Sequence, residues 1–372
     1  MTTRRHTLAA AAVFTLLAGA AHAQSSVTLY GDFDEYLNYM RSSSGATMKS
    51  LQDGALLRTR WGLRGIEDLG NGLQAKFQLE QGVNAISGTA ADASRAFDRQ
   101  AWVGLAGGYG EVRFGRQNGA IFWKGSFVDF TTRTLGSMVN NFGVPARFDN
   151  TISYTSPRIA GVQVDAYYSL AETLAGVRSQ GIKQASIDYN TGPYRIGYAG
   201  LRAGPPSGAL YNDNVYYDMV YGNYDYGQGK IYLTYVRSNN TTSSGGIGNG
   251  GSILGNVGGV VAGTNPDVLR GYRILQGSAD YWVTPALRVG ALWGKITDRS
   301  GSGHDATGGA IGAYYSLSKR TTLYGLADTL KNGTNAGFRP SGSSGLQFNF
   351  TNAADVNGRT INGLQLGILH TF

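Results

Sequence analysis

The stretch LQLGILHTF at residues 364–372 decides the fold. Apolar side chains occupy alternate positions in it, at Leu364, Leu366 and Ile368, and the stretch finishes on the aromatic Phe372. A period of two places these side chains on one face of a β-strand. Because terminal residues are usually polar and frayed, this pattern predicts a strand that closes a membrane barrel and buries its last side chain in lipid.

The first residues predict a secretory signal peptide. Arg4 and Arg5 form a basic region, an apolar run covers 8–20, and Ala21-His22-Ala23 fits a small-residue cleavage site. The run is too short to span a membrane as a helix. The paired arginines are compatible with twin-arginine export, but nothing further of that motif follows, so Sec export is favoured. We expect a Sec signal peptide at 1–23 and one barrel domain at 24–372.

Composition excludes several functional classes. The sequence has no cysteine, which removes disulfides, thiolate metal sites and cysteine nucleophiles. Glycine (56 residues) and tyrosine (23) are abundant, and tyrosine suits the aromatic girdles of a membrane barrel. The formal net charge is +8, or +6 without Arg4 and Arg5. These charges are scattered and the chain is exported, so we expect no nucleic-acid partner and an excess of positive charge inside a pore instead.

Polar and apolar residues alternate along most of the remaining chain. At 73–80 every apolar residue lies on one strand face, while two glutamines, a lysine and a glutamate lie on the other. Seven short connections interleave with eight long ones, which predicts sixteen strands. Short turns on one side and long loops on the other are typical of an outer-membrane barrel. A soluble β-sandwich also alternates, but it does not require this rhythm or an aromatic last residue.

Five segments, in this order along the chain, are similar to the general porins of Gram-negative bacteria, in particular the trimeric beta-proteobacterial type. They are SSVTLYG at 25–31, RWGLRGIEDLGNGLQAKFQLE at 60–80, FDRQAWVGLAGGYGEVRFGRQ at 97–117, RFDNTISYTSPRIAGVQVDAYYS at 147–169 and HTF at 370–372. The resemblance implies an all-β fold, a sixteen-stranded antiparallel transmembrane β-barrel that assembles as a homotrimer. It also implies that the third long loop, about 118–146, folds into the lumen, and that Phe372 is the signal read by the barrel-assembly machinery.

Arginines at lumen-facing positions are the candidate pore-constriction residues. Arg58 and Arg60 share a strand face opposite Trp61. Because a charge that faces lipid at mid-bilayer costs about 2–4 kcal/mol, the face with the arginines must line the lumen. Arg99 points inward if Trp102 faces lipid. Arg147 shares its face with Thr151 and Ser153. The resemblance places Arg60, Arg99 and Arg147 in the basic wall of the constriction, with Arg58 and Arg116 as weaker members. The alternative for each is a solvated or structurally paired charge.

The third loop contains three charged candidates, Lys124, Asp129 and Arg133. Asp129 is its only acid, and the Pro-Glu-Phe-Gly-Gly-like stretch that the family often carries is missing. We expect Asp129 to face the arginine wall; the alternative is an aspartate that anchors the loop through backbone amides. One acid against several bases predicts a positive constriction and a preference for anions.

These observations favour a porin of the outer membrane through which small hydrophilic solutes and inorganic anions diffuse. A solute-specific porin and a barrel that serves as an adhesin or receptor stay open as alternatives. We expect no enzymatic activity, since motifs of hydrolases and zinc peptidases are missing and the four histidines offer no catalytic pairing. No cofactor or metal site is predicted. Outer-membrane lipid and lipopolysaccharide are expected to surround the barrel.

Overall fold

The computed structural model describes residues 26–170, 181–204, 213–239, 271–343 and 349–372. The predicted signal peptide at 1–23 lies outside these ranges. Strands cover most of the described chain, with two short helices, α1 (Ala120–Lys124) and α2 (Met138–Phe142). The strands are β1 (Ser26–Ser42), β2 (Thr47–Asp53), β3 (Arg60–Gly70), β4 (Leu73–Asn84), β5 (Thr89–Ala90), β6 (Gln100–Gly107), β7 (Gly110–Asn118), β8 (Arg147–Thr155), β9 (Val162–Ser169), β10 (Ile182–Thr191), β11 (Tyr194–Ala203), β12 (Val215–Asp225), β13 (Lys230–Ser238), β14 (Tyr272–Trp282), β15 (Leu287–Asp298), β16 (Ala306–Ser316), β17 (Thr321–Asn332) and β18 (Thr360–Thr371).

The strands close into a sixteen-stranded antiparallel barrel. Each wall strand pairs with its sequence neighbours, and β1 pairs with β18 from Asp32↔Thr371 to Ser42↔Ile361. Strands β2 and β3 together make the second wall strand, because both pair with β1, while β5 pairs only with the end of β4. Each described wall strand thus has a hydrogen-bonded neighbour on both sides, as a barrel in lipid requires. Among the described residues, no helix is long and apolar enough to cross a membrane.

The seam between β1 and β18 is built around the predicted terminal strand. Phe372 exchanges backbone hydrogen bonds with Gly31, at 3.0 and 3.2 Å. Its ring stacks on that of Phe33, with 6.1 Å between the ring centroids. A side chain at Gly31 would meet the Phe372 ring, so glycine makes room for it. Leu364, Leu366 and Ile368 are exposed on the outer face, as the alternation predicts.

Two predicted features of the second wall strand are wrong. The first of the eight connections predicted to be long is instead a tight turn at 43–46, because β1 and β2 continue their ladder to Arg41↔Thr47. The second strand is not continuous, because 54–59 leaves the ladder. The carboxylate of Asp34 holds this interruption by accepting hydrogen bonds from the backbone N–H groups of Leu56 (2.6 Å) and Leu57 (2.7 Å). Arg58 therefore lies in the interruption and not on a strand beside Arg60.

The inner face of the wall is not polar throughout. From β11 to β17 many apolar side chains point inward and are buried, which the simple apolar-out, polar-in pattern does not predict. They include Leu201, Met219, Val236, Ile274 and Leu330. An apolar inner face must be covered by another part of the chain to be kept from water, and the third loop provides this cover.

Candidate pore constriction

The third loop, 119–146, crosses the inner face of the wall from β9 to β16. Near its start, Lys124 forms an ion pair with Asp165 on β9, with 2.9 Å between nitrogen and oxygen. In its middle, the Thr234 hydroxyl on β13 donates to the carbonyl of Val128 at 2.9 Å. Farther along, the Cβ of Ala310 on β16 leaves no room for a side chain at Gly136, whose φ is +81°. The loop therefore covers the apolar inner face and occupies part of the barrel interior.

Asp129 is the polar anchor of this loop. Its Oδ1 atom accepts hydrogen bonds from the backbone and hydroxyl of Thr131 and from the backbone of Arg133, at 2.7–3.0 Å. Its Oδ2 atom accepts from the Ser137 hydroxyl and from the side-chain amide of Gln276 on β14, both at 2.7 Å. The expectation that Asp129 faces the arginine wall is thus wrong, and the anchoring alternative is what the structure shows.

The other two charged loop residues are also held by neighbours. Lys124 is buried in its ion pair with Asp165. Arg133 is buried, donates to the side-chain oxygen of Asn140 at 3.2 Å and lies over the ring of Phe122 at 4.6 Å. Burial lowers the pKa of Arg133 to about 10, so it keeps its charge at neutral pH. Neither side chain reaches freely into open water.

Across from the loop, Glu80 on β4 joins Arg60 and Arg99. Its two carboxylate oxygens lie 2.6 Å from Arg99 Nε and 3.2 Å from Arg60 Nε. Arg60 also pairs with Asp32 on β1 at 3.0 Å, and the Tyr30 hydroxyl donates to Glu80 at 2.9 Å. The guanidinium groups are thus fixed by a buried carboxylate rather than left mobile in the lumen.

Arg99 reaches this position for a reason different from the one predicted. Trp102 is buried and faces inward, with the Arg113 guanidinium 4.2 Å from its ring, while Val103 is exposed on the outer face. The premise that Trp102 faces lipid is therefore wrong. Arg99 precedes the first ladder residue of β6, Gln100, so strand alternation does not govern its direction. The ion pair with Glu80 orients it instead.

Arg147, at the start of β8, lies close to the loop. Its guanidinium is 5.1 Å from the centre of the Phe122 ring, which Arg133 also contacts. Arg147 is buried, its Nε has no hydrogen-bond partner among the described residues, and no ion pair within those ranges includes it. The positive charge of Arg99 repels the guanidinium groups of Arg58, Arg60 and Arg147. These four arginines therefore lie close enough to form one electrostatic group.

Arg116 belongs to a separate arrangement at the start of the loop. Its Nη1 lies 2.6 Å from Asp149, a carboxylate that also binds Arg95 with two hydrogen bonds. Its Nε donates to the carbonyl of Asp98 at 2.6 Å. Sequence reasoning missed the acidic partners Glu80, Asp32 and Asp149 and the aromatic Phe122, because each is distant along the chain from the charge that it contacts.

The described residues contain no group of three or more histidine, cysteine, aspartate or glutamate side chains placed to hold a metal ion. The inner surface instead offers paired charges, hydroxyls and aromatic rings. Such a surface can select solutes by width and by electric field without any chemical step.

Comparison with known proteins agrees with this architecture. The sequence profile described as Gram-negative porin matches residues 7–335. An outer membrane porin protein of Bordetella pertussis is 29% identical over 374 residues, which cover 88% of this chain and 94% of that protein. The outer membrane porin protein 32 of Delftia acidovorans is also 29% identical, over 95% of this chain and 96% of its own length.

Solved structures give the same fold. The anion-selective porin from Comamonas acidovorans superposes with a TM-score of 0.72 at 23% identity, over 94% of this chain and 100% of that one. The trimer form of OmpT of Vibrio cholerae gives a TM-score of 0.66 at 15% identity, over 94% and 99% of the two chains. The profile match over most of the chain shows that this protein belongs to the Gram-negative porin family of outer-membrane channels.

Proposed function

We propose that this outer-membrane porin favours anions over cations as small hydrophilic solutes diffuse through it. As a porin it is a channel rather than an enzyme. The proposal names Arg58, Arg60, Arg99 and Arg147 as the basic wall of the constriction, with the third loop opposite. Arg116, Lys124, Asp129 and Arg133 have supporting roles, since each holds the loop or its ends in place through the contacts described above.

One observation carries the preference for anions: in several ion pairs on the inner face the cation is more exposed than the acid, although Asp149 is more exposed than its partners Arg95 and Arg116. The Arg60 side chain is 19% exposed against 5% for Asp32 and 6% for Glu80. Toward the periplasmic turns, Arg195 is 18% exposed and its partner Asp188 is fully covered. The acids therefore lie behind the guanidinium groups, so a solute in the lumen meets positive charge first.

The same asymmetry holds in two further pairs, in which Arg288 covers Asp280 and Lys76 covers Glu111. Charges inside a narrow channel with low-dielectric walls are screened less than charges on an open surface. The pore can thus favour anions although many of its basic side chains are paired with acids. The anion-selective porin from Comamonas acidovorans shares the fold, which is consistent with this proposal.

The zero-current potential of the purified protein in a planar bilayer tests it. With a KCl gradient across the membrane, we expect the sign that reports greater permeability to chloride than to potassium. The size of that potential should fall as salt is raised, because ions screen the wall charges. A potential of the cation-favouring sign would overturn the proposal, and a protein without channel conductance would contradict the porin function itself.

Assembly and surroundings form a second part of the proposal. We infer a homotrimer embedded in outer-membrane lipid and lipopolysaccharide, in keeping with the trimer form of OmpT of Vibrio cholerae. We also infer that Phe372 is read by the barrel-assembly machinery. Its ring stacks on Phe33 at the seam, so the residue that would carry the signal also takes part in the last step of closure.

A further inference from the structure

The last loop, which connects β17 to β18, contains a segment that turns back into the barrel. All seven residues at 336–342 are buried, although loops that connect strands usually run over the surface. The Phe338 ring packs on Phe142 of α2 and on Tyr272 at the start of β14, with 6.4 and 6.3 Å between ring centroids. The Asn332 side chain, at the end of β17, exchanges hydrogen bonds with the Phe338 backbone at 2.9 and 3.0 Å. These contacts hold the loop in its inward position.

Two asparagines of the third loop bind the backbone of this inner segment, 336–343. A buried backbone N–H or carbonyl needs a hydrogen-bond partner, and α2 provides several. The Asn140 side-chain amide donates to the carbonyl oxygens of Ser341 and Gly342, the second at 3.1 Å. The Asn141 side-chain oxygen accepts from the Ser341 N–H at 3.0 Å. The inner segment is thus fixed to the third loop through its main chain.

The inner segment also reaches the interruption of the second wall strand. The N–H of Ser343 donates to the carbonyl of Ala55 at 3.0 Å. Ala55 and Tyr272 lie six wall strands apart, counted through β15, β16, β17, β18 and β1. The residues that contact them, Ser343 and Phe338, are only five positions apart in the chain. The inner segment therefore crosses the barrel interior instead of following its rim.

We propose that the inner segment is a second constricting element of the pore, and that Asn140 and Asn141 are the positioning residues that hold it on the third loop. Chain that crosses the interior reduces the width open to solutes, and pore width limits which solutes pass. The inner segment thus sets the upper size of the solutes, whereas the arginine wall acts on their charge. This inference goes beyond the anion preference, because it applies to uncharged solutes as well.

Asn140→Asp tests the role of the positioning residues with almost no change in side-chain size. An aspartate can still accept the hydrogen bond that Arg133 donates to position 140. It replaces the NH₂ group by an oxygen, which repels the carbonyl oxygens of Ser341 and Gly342. We expect the inner segment to detach from α2 and the pore to widen.

Swelling of liposomes that contain the purified protein measures this widening. Arabinose and raffinose are suitable probes, because both are uncharged and raffinose is a trisaccharide. The ratio of the raffinose rate to the arabinose rate reports pore width independently of the number of folded channels. An unmatched buried polar group shifts a local equilibrium strongly, so we expect this ratio to rise roughly fivefold or more in Asn140→Asp.

Two further variants separate pore width from added charge. Asn335→Asp makes the same chemical change at an exposed position of the last loop, where the side chain donates to the Ser302 carbonyl at 2.7 Å. It should keep the wild-type ratio. Ser341→Pro removes the N–H that binds Asn141 and adds no charge. It should raise the ratio as Asn140→Asp does.

The outcomes decide the inference without reference to ion preference. An unchanged ratio in folded Asn140→Asp or Ser341→Pro channels would overturn it, and so would an equal rise in Asn335→Asp. A wild-type channel that admits raffinose as fast as arabinose would overturn it even if the variants failed to fold. A cation-favouring potential in KCl would contradict the proposed function instead, because the sugars carry no charge and their rates do not depend on that preference.

Discussion

Replacement of Arg60, Arg99 and Arg147 together by glutamine is expected to change the channel from anion-favouring to cation-favouring. The change removes three positive charges and leaves Glu80 and Asp32 without the guanidinium groups that cover them. A unit charge a few ångströms away contributes on the order of 1 kcal/mol even in water. The chloride-to-potassium permeability ratio should therefore fall by roughly tenfold or more.

A second triple variant provides the control for charge number. Arg41, Arg237 and Arg273 are exposed residues of β1, β13 and β14 whose strand positions place them on the outer face of the wall. Their replacement by glutamine removes the same net charge but should leave the zero-current potential in KCl close to that of the wild type. An unchanged potential in the inner-face triple variant, or an equal change in both triple variants, would contradict the role of the wall.

Removing one partner of a buried ion pair can cost about 3–5 kcal/mol of stability, so we expect the inner-face triple variant to be less stable than the wild type. A single variant that breaks no ion pair is therefore measured beside it. Arg147→Gln alone leaves no ion pair of the described residues broken. It should fold like the wild type and reduce the preference for chloride in part. A folded Arg147→Gln channel with the full wild-type preference would remove Arg147 from the wall.

The second large effect is expected from Asp129→Asn. One side-chain oxygen becomes an NH₂ donor, which cannot accept the hydrogen bonds that Ser137 and Gln276 now donate. An unmatched buried polar group costs about 1–3 kcal/mol, and several are affected together. We expect the third loop to loosen from the wall, which should lower the midpoint of thermal unfolding and add slow fluctuations to the single-channel current.

Asp225→Asn is the matched control for this loss of an acid. Asp225 ends β12 at a turn, is about half exposed and, in the part of the chain that the structure describes, has Lys230 as its ion-pair partner at 3.5 Å. Its replacement should change neither the unfolding midpoint nor the current noise. If Asp129→Asn gave a channel as quiet and as stable as this control, the carboxylate would not be the anchor of the loop.

The barrel could be predicted from sequence because alternation is a local property. A strand pattern such as LQLGILHTF at 364–372 requires only that neighbouring residues point to opposite faces. The number of wall strands followed from the rhythm of short and long connections. The interruption at 54–59 could not be predicted in this way, because it depends on the carboxylate of Asp34, which lies in the preceding wall strand.

The constriction was predictable only in part, because its contacts join residues that are distant along the chain. Arg60 and Arg147 were placed on the inner face by alternation. Arg99 required its partner Glu80, since it lies outside the ladder. Asp129 could not be assigned from sequence, because the side chain that completes its anchor, Gln276, is 147 positions away.

The apolar inner face was missed for a related reason. Val236 and Ile274 alternate with outward residues that are also apolar, such as Tyr235 and Leu275. Both faces of these strands therefore have the same character in the sequence. Only the position of the third loop distinguishes the face covered by protein from the face covered by lipid.

The charge at position 60 can be changed by chemical modification while the channel is in the bilayer. The resulting change in the zero-current potential tests most directly the claim that the arginine wall sets the ion preference. Because the chain has no cysteine, an Arg60→Cys variant has a single thiol that a methanethiosulfonate reagent can modify. A reagent with a quaternary ammonium group should move the zero-current potential toward chloride selectivity, and one with a sulfonate group should move it toward potassium. If the thiol is labelled by both reagents and the potential stays the same, the arginine wall does not set the ion preference of this porin.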